Sequence, residues 1–116
     1  MYRYELLNVN SRIKSNFDIR ICYEQSGEKG LKHILEDLEK MSREVASAYH
    51  SDFDKAWNCG CDQQRELQTV SELYEMVRNN ISAAERKCNH YLSLNVAHDV
   101  SRQSFAPLPV MSTCSA

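Results

Sequence analysis

The chain has 116 residues, 26% of them charged and 42% hydrophobic, with a net charge of −2. That composition suits one folded domain with a modest core, and the near-neutral charge excludes a global field drawing the chain to nucleic acid or an anionic membrane. No apolar run is long enough to cross a bilayer, and no leader of the charged-then-apolar kind opens the chain, so a cytoplasmic protein is expected.

Tyr2, Tyr4 and Leu6 alternate with Arg3 and Glu5, and Phe17, Ile19, Ile21 and Tyr23 alternate with Asp18, Arg20, Cys22 and Glu24. Period two in β-branched and aromatic residues predicts two half-buried strands. Their link is polar and rich in Asn and Ser, so residues 1–24 read as an antiparallel β-hairpin with a loose loop. Two strands alone are marginal in water, so their apolar face has to lie on the rest of the chain.

Gln25-Ser26-Gly27 interrupts the alternation, and Ser26 is a competent N-cap for a helix over 27–57. Gly30 counts against that helix by about 1 kcal/mol relative to alanine. Leu31, Ile34, Leu38, Met41, Val45 and Ala48 then step by threes and fours, which places them on one helical stripe. A second stripe runs through Leu67, Val70, Tyr74, Val77, Ile81, Ala84, Cys88 and Tyr91, predicting a helix over 62–98. Between them lies Asn58-Cys59-Gly60-Cys61-Asp62, where Gly60 can take a positive φ and Asp62 can cap the next helix. Folding back there sets Leu31 against Cys88, Leu38 against Ile81, Val45 against Tyr74 and Phe53 against Leu67, apolar on apolar throughout. Residues 101–116 are small, polar and broken by Pro107 and Pro109, and read as an extended or disordered tail anchored only by Phe105, Leu108 and Val110.

The expected fold is therefore α+β: a single domain over 1–100, with an N-terminal β-hairpin packed on a long, coiled-coil-like antiparallel pair of helices. The helical stripes are wider than a two-helix seam needs. Leu35, Tyr49 and Phe53 broaden the first, and Leu73, Met76 and Leu92 the second. A second copy covering the excess would give a homodimer with a four-helix bundle.

That surplus makes a non-enzymatic protein–protein interaction module, a small adaptor, regulator or inhibitor, the expected function. Its candidate surface is Tyr49, Phe53, Trp57, Leu73 and Met76, with the aromatic side chains approaching the turn. The alternative is a nucleic-acid-binding regulator that uses Arg3, Arg12, Lys14 and Arg20 on the hairpin, with Tyr2, Tyr4 and Phe17 to stack bases. Against it, those aromatics lie on the face the hairpin needs for its own core.

A zinc domain is weaker still. Cys59-x-Cys61 and Cys88-x-His90 would sit at opposite ends of a helical hairpin, roughly 40 Å apart at 1.5 Å per residue. Cys22, His33, Cys88 and His90 can gather at the open end, yet Cys88 falls on the apolar stripe, where a thiol behaves as a small hydrophobe. With an odd count of five, the cysteines read as free thiols. His50-Ser51-Asp52 are consecutive, so on a helix they point in different directions and form no relay. No glycine-rich phosphate loop follows a strand, and no cofactor is implied.

Overall fold

Leu6, Val9 and Ile13 are spaced by three and four, and so are Ile19, Cys22 and Tyr23 once the count restarts after Ser15. Those helical spacings, not the alternation, are the ones realised in the folded N-terminal segment. The computed structural model describes residues 4–60 and 62–103, and every regular element in them is helical: α1 over Glu5–Ser11, α2 over Asn16–Trp57 and α3 over Gln63–Gln103. The predicted β-hairpin over 1–24 is absent, and the α+β assignment is corrected to all-α. Leu6, Val9 and Ile19 are buried while Phe17 is 63% exposed, so the apolar set that matters is the one at helical spacing.

The helix beginning at Asn16 has a local signal of its own. Ser15 is extended, and its side chain accepts from the Asp18 N–H at 3.1 Å. An acidic residue in the first turn suits that helix end. The N-cap is thus Ser15, eleven positions before the expected Ser26.

α2 is not one rod. Gly27 has φ 62° and ψ −145°, a conformation open to glycine and strained for other residues, and the helix breaks there. The chain then folds back on itself. A Cβ on Gly30 would stand 2.7 Å from Cys22 Sγ and 2.8 Å from Ser26 Cβ, approaches that a continuous helix would not produce. Gly30 is therefore required for close packing, and its cost in helix propensity is the lesser consideration. The positive φ is at Gly27, whereas Gly60, predicted to supply it, has open space around it and no positive φ. Asn58 ends α2 by donating from Nδ2 to the Asp54 carbonyl at 2.9 Å, and Asp62 caps α3 by accepting from the Arg65 N–H at 3.2 Å.

The resulting architecture is a three-layered rod. Residues 28–57 and α3 pair antiparallel, with Tyr49 against Tyr74 at 4.5 Å between ring centroids. α1 and residues 16–26 run end to end along one groove of that pair. Tyr4 reaches Glu66 near the turn, Asn10 accepts from Asn80 at 2.8 Å midway, and Tyr23 stacks on Tyr91 at 4.6 Å near the open end. The N-terminal quarter of the chain is thus the third helical layer, broken once at 12–15. The body measures 68 × 30 × 19 Å, with a radius of gyration of 19.5 Å. A compact chain of this length would have about 13 Å. Leu6, Ile19, Leu31, Leu38, Val70 and Val77 are fully buried along the axis. Each such side chain contributes roughly 1.5–3 kcal/mol of apolar burial.

No helix among the described residues is long and apolar enough to cross a membrane. The predicted tail and its anchors Phe105, Leu108 and Val110 lie outside the described residues, as does Arg3; residues 101–103 still belong to α3.

Candidate protein-binding surface

Steps of four place Tyr49, Phe53 and Trp57 one turn apart on a single flank of α2. The structure arranges them as a row of rings that Tyr74 of α3 extends. Tyr49 lies 4.5 Å from Tyr74, Phe53 5.9 Å from Tyr49, and Trp57 6.4 Å from Phe53 with planes 11° apart. Tyr49, Phe53 and Tyr74 are half-buried against the core, while Trp57 is 56% exposed at the end of the row. Arg78 lies 5.4 Å over the Tyr74 ring and closes the row on α3.

Leu73 and Met76, expected on the same surface, are on the other flank. Leu73 is one residue from Tyr74, a rotation of about 100° about the helix. Met76 shares its face with Asn80 four residues on, and Asn80 donates to Asn10 of α1. The expected patch therefore divides into a ring row facing away from α1 and a smaller apolar edge beside it, where Met76 is 37% exposed.

The side chains of His50-Ser51-Asp52 do diverge, and one has a task that sequence reasoning missed. Asp52 is fully buried on the apolar stripe, and its carboxylate accepts from the Glu5 and Leu6 N–H groups, each at 2.8 Å. The N-cap residue of α1, Tyr4, offers no side-chain cap, so a residue on α2 caps α1 from across the groove. Ser51 donates to Glu5 at 2.6 Å, Lys55 stands 3.6 Å from Glu5, and His50 packs beside Tyr49. These contacts hold the Glu5 carboxyl below the usual carboxylate range, the Ser51 hydrogen bond most of all. At the other end of α1 the Arg12 guanidinium pairs with Glu44, pulling the glutamate down and pushing the arginine up. The available signal for this capping was an aspartate seven residues after Val45, on a stripe otherwise apolar.

The basic set is largely committed. Arg12 serves Glu44, and Arg20 pairs with Glu24 at 3.5 Å while lying 5.8 Å over the Phe17 ring; Lys14 is exposed. The Cys/His set is only partly assembled. His33 stands 3.7 Å from Glu36 and His90 packs beside Tyr91, both exposed, and among the described residues no group of three or more His, Cys, Asp or Glu side chains is placed to hold a metal ion. Cys88 is fully buried, and its thiol is pushed above its ordinary value by burial, then by the neighbouring Cys22 and Glu85. Cys22 and Cys88 are free, but Cys59 is disulfide-bonded, which corrects the expectation that all the cysteines are thiols.

No protein-family model, curated protein or solved structure matches the chain.

Proposed function

We propose that this protein is a non-enzymatic interaction module, a small adaptor, regulator or inhibitor, that engages another protein through the ring row ending at Trp57. The observation that carries this reading is the exposure of Trp57 on a row of rings already ordered by packing. A tryptophan held in place by neighbouring rings loses little rotamer freedom on binding, and Trp and Tyr dominate the energetics of protein interfaces. The nucleic-acid alternative is not carried forward, because Arg12 and Arg20 already face carboxylates. A cytoplasmic location goes with the proposal; the free thiols of Cys22 and Cys88 are in keeping with it, and the disulfide at Cys59 counts against it.

Quantitative co-purification from the native cell tests the reading, with the wild-type chain and W57A as parallel baits. Proteins recovered by the wild type and depleted at least tenfold by W57A are the expected result. Equal recovery by W57A and by the double variant F53A/W57A removes the ring row as the binding surface.

A further inference from the structure

The groove between residues 28–57 and α3 has two sides, and the described residues fill only one. α1 and residues 16–26 occupy the first. On the second, Val45 and Ile81 form the floor, and Ser42, Ala46, Tyr74, Arg78, Ser82 and Glu85 form the walls. The walls carry small side chains at Ser42, Ala46 and Ser82, so a helix laid there can approach to the usual interaxial distance of about 8–10 Å. Half-buried Leu35, Tyr49 and Phe53 on α2, with Tyr74 and Leu92 on α3, continue this face along the rod. From Leu35 to Trp57 it runs roughly 33 Å at 1.5 Å per residue.

We infer that the occupant of this groove is α3 of a second copy, packed antiparallel about a two-fold axis near Ser82. The inference rests on the interaction-module reading and names a second copy as an occupant of the same ring row, so self-association and capture of another protein through Trp57 are alternatives at one surface. The charges on the groove argue for a self-partner. Arg78 and Glu85 are two helical turns apart on one edge of α3, with Ile81 and Ser82 midway between them. In a two-fold contact, whatever residue i meets, its mate meets in return. An axis through that midpoint sets Arg78 of each copy beside Glu85 of the other, forming two ion pairs. Among the described residues neither side chain has an ion-pair partner within its own chain, and Arg78 is already oriented over Tyr74. At the other facing positions Ile81 meets Ser82, Ser71 meets Leu92 and Tyr74 meets Asn89. A face roughly 33 Å long and about 20 Å wide buries on the order of 1,300 Å² over two partners, near the lower end of stable interfaces. The association is accordingly weak to moderate and visible only at micromolar concentration or above.

Sedimentation velocity across a concentration series tests this. The wild type is expected to pass from monomer to dimer between about 1 and 200 µM, the range such an interface implies. R78E and E85R, each alone, place like charges together twice per dimer and should weaken association at least tenfold. An equimolar mixture of the R78E and E85R chains should regain wild-type association, because every cross-pair is again of opposite sign. The double variant R78E/E85R should regain it by itself. Circular dichroism of each variant checks that the helices persist, as expected for substitutions on the edge of the groove. A wild type that stays monomeric to the highest concentration overturns the inference, and so does a dimer indifferent to both charges or a mixture that fails to recover. The co-purification by Trp57 can succeed in a strict monomer, so loss of the dimer and loss of the interaction reading are separate results.

Discussion

Replacing Asp52 by alanine should detach α1 from the rest of the rod. A helix of seven residues is far too short to persist alone, because nucleation costs more than a few hydrogen bonds return. What holds it is docking of Leu6 and Val9 together with the two N–H groups that end on the Asp52 carboxylate at 2.8 Å. Each hydrogen bond to a charged acceptor is worth about 1.5–3 kcal/mol, and loss of an N-cap alone about 0.5–2 kcal/mol. The upper sum is not reached, since α1 can fray and let water satisfy the freed N–H groups. A net loss of about 3 kcal/mol follows, or a fall in melting temperature of roughly 10–20 °C for a domain of this size. D52N should recover less than half of it, because one of the two N–H groups then faces an amide NH₂. Urea denaturation gives the free energy, and amide hydrogen exchange at residues 5–12 gives the location. If D52A unfolds within about 0.5 kcal/mol of wild type with exchange in α1 unchanged, the capping argument is wrong.

Acid should loosen the same helix. Glu5 and Glu44 titrate below the usual carboxylate range because of Ser51 and Arg12 respectively, so the stability they add is present above the unfolded value near 4.5 and is lost as pH falls through the folded value. Exchange protection in α1 should drop below about pH 4 before α3 responds, and simultaneous loss across the molecule would count against it. At the break in α2, G27A should cost about 1–3 kcal/mol through the backbone alone, since its Cβ meets nothing. G30V should displace residues 16–26 and separate the Tyr23–Tyr91 stack, readable in the near-ultraviolet dichroism; an unchanged spectrum would mean the close approach to Cys22 is absent. Thiol alkylation at pH 7.5 should modify Cys22 well before Cys88, with the order erased in denaturant. Because the Cys88 value is raised, its contribution to stability is present below the ordinary value near 9.0 and is lost as pH rises through the folded value.

The aromatic flank was legible because Tyr49, Phe53 and Trp57 are spaced a turn apart on one helix, whose own geometry keeps them together. Tyr74 joining the row, and Leu73 and Met76 leaving it, depend on how α3 is rotated against α2, which spacing within one helix does not specify. The antiparallel register placed Cys88 at the open end, but Cys22 was expected beside it at the end of a strand and arrives there on a helix. The dispersal of His33 and His90 was not anticipated, because exposed histidines near a helix end are placed by local partners such as Glu36 and Tyr91.

Sequence alone determined the long antiparallel pair and the Asp62 cap, since sustained helical spacing over many turns leaves little competition from strand. Residues 2–24 carried both periods at once: Phe17, Ile19, Ile21 and Tyr23 alternate, while Leu6, Val9 and Ile13 step as a helix. Over so short a stretch neither period outweighs the other, and no local propensity stabilises a seven-residue helix. Tertiary structure decided it, by presenting a helical groove with a carboxylate aimed at the first free N–H groups, from a residue forty-six positions further along the chain.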